Sequence, residues 1–178
     1  VKPGGIIGTS SARRKCQIVH NNPSLVVNDL RGNVPTRIRK LRDGQYDAIL
    51  IAAAGVQRLG LDVSDLDAIL LDAHEFLPAP AQGILGLQIR SDDARVGAIV
   101  SKLGSTKARL VSSLERGLLA KFVAGCSLPL GVFSHVTADE YRLAAVLGQQ
   151  EEDRWVGLKQ AEVSGSDLDE VVNRVFNL

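Results

Sequence analysis

Two short segments hold the residues whose types and spacing are best suited to chemistry. The first runs from Gly8 to Arg14, and the second runs from Leu30 to Arg37. Both follow an apolar run and combine glycine, hydroxyl side chains and arginine. Arginine meets a carboxylate or a phosphate with two parallel hydrogen bonds, and unpaired N–H groups at a helix start also attract anions. The pattern therefore predicts an anion-binding site where strands give way to helices.

The elements that must position these segments alternate between strand and helix. Short apolar runs predict buried strands, and hydroxyl or proline residues mark the helix starts between them. A β-α-β-α-β order is typical of a parallel sheet whose ligand lies at the carboxyl ends of the strands. The predicted strands cover 6–7, 25–30 and 48–52, and the predicted helices cover 11–20, 35–42 and 53–59.

The pattern changes after the proline-rich segment Leu77 to Gly83. A strand over 84–89 and two helices are predicted first, and a meander of three strands and a last helix follow. The residues 149–153 are predicted to form a polar turn. The chain is thus predicted to be an α/β domain followed by a small α+β domain with a three-stranded sheet. The later helices cover 92–103, 105–123 and 166–176, and the later strands cover 130–136, 141–147 and 154–163.

Composition excludes several classes of function. The 178 residues are 45% hydrophobic and 23% charged, with a net charge of +1 and 4% aromatic residues. This balance argues against nucleic-acid binding, which favours a strongly basic surface. No apolar run approaches the roughly 18 residues of a membrane span, so no membrane partner is expected. An anion site must therefore arise from local clustering of arginine.

Cysteine and histidine residues do not form metal-binding patterns. Cys16 and Cys126 stand far apart, so neither a disulfide framework nor a metal site is expected. The three histidines share no ligand spacing either. Read alone, Cys16 is interpreted as a core residue on a helix.

The ordered motifs resemble the porphobilinogen deaminase family over essentially the whole chain. One such motif alone would be weak evidence for the resemblance, but several motifs in the same order along the chain are strong evidence. The strings are Gly8-Thr9-Ser10-Ser11-Ala12-Arg13-Arg14, Leu30-Arg31-Gly32-Asn33-Val34, Thr36-Arg37, Tyr46-Asp47-Ala48-Ile49, Ala53-Ala54-Gly55, Arg58-Leu59-Gly60-Leu61, Leu77-Pro78-Ala79-Pro80-Ala81-Gln82-Gly83, Leu114-Glu115-Arg116 and Gly125-Cys126-Ser127-Leu128-Pro129.

The resemblance implies an activity and a cofactor. The family's enzyme is a transferase that joins four porphobilinogen molecules into hydroxymethylbilane with release of ammonia, in tetrapyrrole and heme biosynthesis. Its cofactor is a dipyrromethane attached through a thioether, which maps onto Cys126. A cytoplasmic location is implied, or a plastid one for a plant-type source, and the intact enzyme is expected to be a monomer. The implied ligand-binding residues are Cys126, Thr9, Ser10, Ser11, Arg13, Arg14, Arg31, Gly32, Arg37, Arg58 and Gln82.

The resemblance also implies a domain organisation. Residues 1–78 correspond to a periplasmic-binding-protein-like α/β domain, 79–102 to a segment that returns to another domain, and 103–178 to the α+β domain carrying Cys126. Because the chain begins with Val1 and contains no Met, we expect residues to precede it. The catalytic aspartate is expected there, so no catalytic residue is assigned here. We expect this chain alone to be inactive, and its apolar segment 84–89 to promote self-association.

Alternatives stay open for several residues. The early α/β pattern also suits a small-anion binding module of the periplasmic-binding-protein type. Arg58 could simply complement a helix dipole. Arg39 and its basic neighbours on the second helix are interpreted as a solvated face. Glu115 and Arg116 are interpreted as an ion pair on a helix surface or between domains.

Overall fold

The computed structural model describes residues 1–122, 128–152 and 154–177. These residues fall into two compact units. The first contains Val1–Phe76 with the described residues of 124–129 and Leu147–Lys159. The second contains the described residues of Leu77–Val123, Leu130–Val146 and Gln160–Leu178.

The first unit is built on a parallel three-stranded sheet in the order β2-β1-β3. In the register, Ile7 of β1 lies beside Val27 of β2 and Ala48 of β3. Each strand is followed by a helix, so the predicted β-α-β-α-β order is confirmed. The elements are β1 (Ile6–Gly8), α1 (Ala12–Asn21), β2 (Val26–Asn28), α2 (Val34–Arg42), β3 (Ala48–Ile49) and α3 (Ala53–Arg58).

Side-chain caps explain where the first two helices begin. The Ser11 hydroxyl accepts a 3.4 Å hydrogen bond from the N–H of Arg14 at the start of α1. The Asn33 side chain accepts one of 3.0 Å from the N–H of Thr36, and Pro35 stands in the first turn of α2. Such caps stabilise a helix by about 1 kcal/mol each, and proline fits the first turn because its nitrogen needs no partner there.

The second unit contains three of the α-helices and one short 3₁₀-helix, and it takes part in a second sheet. This sheet is antiparallel, in the order β4-β5-β6. Its core is closed by fully buried side chains of α5, β4, β5 and α6, among them Leu114, Val132, Leu143 and Val171. The elements are α4 (Ala94–Val100), the 3₁₀-helix Ser101–Leu103, α5 (Thr106–Lys121), β4 (Leu130–Val136), β5 (Tyr141–Glu151), β6 (Arg154–Gly165) and α6 (Leu168–Phe176).

Two sequence-based predictions differ from the structure. The strand predicted over 84–89 does not form, because no described strand lies beside it, and Leu85 and Leu87 are 81% and 60% exposed. The turn predicted over 149–153 is shorter, since β5 continues to Glu151 and Glu152 turns with a φ of 52°. An antiparallel strand carries polar side chains where one face of its sheet meets solvent, so polarity alone placed this turn too early.

The described helices include none that is both long and apolar enough to cross a membrane.

Candidate anion-binding site

The parallel sheet of the first unit brings three strand ends to one edge. β1, β2 and β3 end at Gly8, Asn28 and Ile49. The chain then enters the loops that lead to α1, α2 and α3. The helices α1 and α2 therefore start at this edge, where the peptide dipoles of each helix leave a partial positive charge.

Arg14 reaches across this edge from the first turn of α1. Its Nη1 donates a 2.9 Å hydrogen bond to the carbonyl oxygen of Leu50, at the end of β3. Burial lowers the pKa of Arg14, and the positive charge of Arg37 lowers it further. The positive charges of the two guanidinium groups are therefore close enough to repel each other.

Arg37 is held by the loop that precedes its own helix. Its Nε donates a 2.7 Å hydrogen bond to the carbonyl oxygen of Gly32. Gly32 has a φ of 117°, which glycine adopts without a steric penalty. Within the described ranges, neither Arg14 nor Arg37 forms an ion pair with a carboxylate. Two neighbouring cations without a protein counter-charge favour an acidic ligand.

Arg13 adds a third positive charge next to this pair. It is 8% exposed, and burial together with the charge of Arg14 lowers its pKa to about 10. The electrostatics of this helix start thus strengthen the preference for a negative ligand.

The three hydroxyl residues of the first motif mainly shape the loop. Thr9 is 1% exposed, and its Oγ1 accepts a 3.3 Å hydrogen bond from the N–H of Ser11. The exposed Ser10 donates its hydroxyl to the Leu30 carbonyl oxygen at 2.9 Å, which ties the first motif to the second. Ser11 caps α1, as described above. Of the three, only Ser10 has an exposed side chain.

Among the described residues, the side-chain contacts of Arg31 and Arg58 do not involve Arg14 or Arg37. The Arg31 side chain is 85% exposed and lies 3.9 Å from the Asp29 carboxylate. Lys15 donates to the same carboxylate, and its hydrogen bond is the main cause of the lowered pKa of Asp29. Arg58 is the exposed last residue of α3, and its side chain makes no hydrogen bond or ion pair within the described part of the chain. The structure therefore does not bring Arg58 into contact with the other predicted ligands.

Gln82 and Cys126 are the last two residues predicted to bind the ligand. Gln82 lies in the second unit, where its Oε1 accepts a 3.2 Å hydrogen bond from the N–H of Ala79. Cys126 lies outside the described residues, so the structure gives no position for it. The predicted site is thus described only for its arginine-rich part.

One hollow of the first unit, about 640 Å³ in volume, does not coincide with this site. Arg42 on its wall is already paired with Asp65, at 2.6 Å, and further carboxylates face the hollow. Such a lining disfavours anions. Its wall consists of Leu41, Arg42, Tyr46, Asp47, Ala48, Ile49, Asp65, Leu66 and Asp67. No group of three or more potential metal ligands exists among the residues that the structure describes.

Sequence reasoning misjudged Glu115. It was interpreted as half of an ion pair with Arg116, but it is 5% exposed and makes no ion pair in the described structure. Its carboxylate accepts hydrogen bonds from Ala81 and Ser134 instead. The spacing along the helix indicates this burial. Glu115 lies one residue after Leu114 and three before Leu118, beside the buried face of α5.

Two family models match the chain. Residues 1–112 match "Porphobilinogen deaminase, dipyromethane cofactor binding domain", and residues 110–174 match "Porphobilinogen deaminase, C-terminal domain". A curated relative, the porphobilinogen deaminase of Roseiflexus sp. (strain RS-1), is 41% identical over 161 residues. That alignment covers 90% of this chain and 52% of the relative, so the chain spans about half the length of the curated relative it matches.

Proposed function

This chain belongs to the porphobilinogen deaminase family, and from that premise we propose that it supplies the oligopyrrole-binding part of an enzyme that makes hydroxymethylbilane. The proposed reaction joins four porphobilinogen molecules and releases one ammonia for each. The substrate carries acetate and propionate side chains, so the growing product is a polyanion.

One observation carries the proposal. Arg14 and Arg37 are neighbours at the carboxyl edge of the parallel sheet, each is anchored to a backbone carbonyl, and neither has a carboxylate partner in the described ranges. A guanidinium with one N–H group committed to the protein still offers others to a carboxylate. This donor set fits the acidic side chains of a pyrrole chain and also those of a dipyrromethane cofactor.

Each residue has a proposed role. Arg14 and Arg37 bind carboxylates directly, and Arg13 adds positive charge behind them. Ser10 and Arg31, both exposed at the same edge, extend the contact surface toward further side chains. Gly32 holds the loop that orients Arg37, and Thr9 and Ser11 hold the loop before α1.

Further roles are proposed from the family alone. Cys126 carries the dipyrromethane through a thioether, and this group, when bound, supplies the free α-carbon to which a new ring is added. Gln82 and Arg58 contact the bound chain. Residues 1–78 belong to a periplasmic-binding-protein-like domain, 79–102 return to another domain, and 103–178 form the domain of Cys126. We propose that this chain alone is inactive, because Asp29, Asp43 and Asp47 do not match the family's catalytic aspartate, and that the enzyme acts in the cytoplasm or plastid.

Binding of a synthetic dipyrromethane with acetate and propionate side chains tests the proposal. The double variant Arg14→Gln/Arg37→Gln should bind it at least about tenfold more weakly, because hydrogen bonds to charged groups contribute about 1.5–3 kcal/mol each. The control Arg39→Gln removes an exposed cation of α2 and should leave affinity unchanged. Equal losses of dipyrromethane affinity in both variants would mean that the ligand responds only to nonspecific positive charge, and they would contradict the proposed site.

Inorganic phosphate separates the proposal from the alternative, a small-anion binding module. That module would bind phosphate as tightly as the dipyrromethane. The proposed oligopyrrole site should prefer the larger ligand, since two arginines on different helices can each hold one of its carboxylates. Intact mass and peptide mapping test the tether, because an adduct should map to Cys126, and an adduct on Cys16 would contradict it.

A further inference from the structure

Glu115 holds the loop that carries Gln82. Its Oε2 accepts a 2.6 Å hydrogen bond from the N–H of Ala81. Its Oε1 accepts two from Ser134 of β4, 2.9 Å from the hydroxyl and 3.2 Å from the N–H. One carboxylate on α5 thus joins three parts of the second unit.

The loop needs such a partner because its backbone is strained. Ala81 has a φ of 57°, in the left-handed region that side-chain-bearing residues seldom adopt. The Ala81 carbonyl accepts from the N–H of Ile84 at 3.1 Å, and the Gln82 N–H donates to Ala79 at 2.9 Å. These local bonds form a tight turn, and the Glu115 contact fixes the strained residue at its centre.

A second attachment lies at the start of the loop. Leu77 is buried, and the Pro78 carbonyl oxygen accepts a 2.8 Å hydrogen bond from the N–H of Val132 on β4. With the start held by β4 and the middle held by α5, Gln82 and Gly83 remain exposed at the tip. The tip is therefore presented to solvent from a rigid base.

Burial of Glu115 supports an active role for its carboxylate. The residue is 5% exposed, and burial raises its pKa, whereas the hydrogen bonds from Ala81 and Ser134 act in the opposite direction. A buried carboxylate is retained at a cost, and an apolar residue would pack there without that cost. The carboxyl group is thus needed for its two acceptor oxygens.

We propose that Glu115 is a positioning residue, which sets the loop of Ala81 and Gln82 in the conformation that meets the bound pyrrole chain. The ligand part of this statement rests on the proposed function. The loop part does not, and it can be tested without any ligand.

Amide hydrogen exchange of the whole chain, resolved by residue, gives the test. In the unaltered protein, the Ala81 amide should be protected although its loop is exposed, and the Gly83 amide should exchange freely. In Glu115→Gln, one acceptor oxygen becomes an NH₂ group, and exchange should accelerate about 10- to 100-fold at Ala81 and at Ile84, whose N–H donates to the Ala81 carbonyl. The amides of α5 should keep their protection.

Two further variants separate positioning from general support of the core. Ser134→Ala removes one donor and leaves the Ala81 contact, so exchange at Ala81 should stay as in the unaltered protein. Ala81→Gly added to Glu115→Gln should restore protection at Ile84, because glycine adopts the left-handed conformation readily. A carboxylate that only stabilised the core would give no such rescue.

Several outcomes would overturn the proposal. Free exchange of the Ala81 amide in the unaltered protein would do so at once, even if Glu115→Gln failed to fold. Equal acceleration in α5 and the loop, without rescue by Ala81→Gly, would do so as well. A failure of dipyrromethane binding alone would count against the proposed function and leave the exchange result intact.

Discussion

Gly148 lies directly against Cys16 in the first unit. A Cβ on Gly148 would stand 2.7 Å from the Cys16 sulfur and 2.9 Å from the Pro129 Cβ. The Gly148 N–H also donates a 3.0 Å hydrogen bond to the Pro129 carbonyl oxygen. Because Cys16 lies on α1, two residues after Arg14, this contact fixes the helix that carries Arg13 and Arg14.

The change Gly148→Ala should therefore destabilise the protein. The added methyl group meets a sulfur and two carbon positions, and overpacking of this kind lowers the free energy of unfolding by about 1–3 kcal/mol. Urea denaturation followed by circular dichroism would measure the loss.

Gly157→Ala is the matched control for this substitution. Gly157 stands on β6, and the nearest atom to its added Cβ is a side-chain oxygen of Gln149, 3.5 Å away. This variant should unfold within about 1 kcal/mol of the unaltered protein, since ordinary contact distance causes no strain. Equal destabilisation by both alanines would refute the close packing at Cys16.

Gly32→Ala should reduce both stability and ligand binding. An alanine there would keep an unfavourable φ of 117° and place its Cβ 2.9 Å from Thr36 Cγ2, so a loss of about 1–3 kcal/mol is expected. Any shift of the Gly32 carbonyl also releases Arg37. Urea denaturation and dipyrromethane titration would measure the two effects. Gly44→Ala, with a φ of 72° and no atom within 4 Å, should cost stability but leave affinity unchanged.

Alkaline pH should destabilise the protein through Cys16. Burial raises the pKa of this thiol from 9.0 to about 11. A raised folded pKa means that the contribution to stability is fully present below pH 9 and is lost as the pH rises through about 11. The loss should be on the order of 2 kcal/mol. Denaturation at several pH values, with Cys16→Ala as reference, would reveal it, and identical pH profiles would contradict it.

The apolar segment after the proline-rich loop should drive self-association. Leu85 and Leu87 alternate along it and are 81% and 60% exposed. Sedimentation velocity should show concentration-dependent association that Leu85→Lys/Leu87→Lys suppresses. Leu59→Lys, which changes an isolated side chain 57% exposed, should leave association as it was. A chain that stays monomeric at high concentration would contradict this prediction.

Local signals predicted the first unit well. Ser11 and Asn33 act through contacts within three residues, so the starts of α1 and α2 could be predicted from neighbouring letters alone. The sequence also places the motifs of Arg14 and Arg37 where strands give way to helices, and parallel strands end at one edge; their role as ligand-binding residues stays a prediction. The carbonyl partner of Arg14, Leu50, could not be predicted, since it comes 36 positions later.

Long-range packing explains what sequence reasoning missed. A charged residue such as Glu115 is expected on the surface. Its burial is possible because Ala81 and Ser134, which are distant in the sequence, donate hydrogen bonds to its carboxylate. The segment 84–89 has the composition of a strand, but composition does not provide a neighbouring strand. The assignments of Cys126, Gln82 and Arg58 as ligands stay predictions.

The anchoring of Arg14 to Leu50 and of Arg37 to Gly32 has a consequence for binding strength. A free arginine side chain loses about 2 kcal/mol of rotamer entropy when it is immobilised. Here the two arginine side chains lose this entropy when the protein folds, so ligand binding does not require the same loss again. The two guanidinium groups are preorganised, so the binding of an acidic ligand requires little further ordering of the protein.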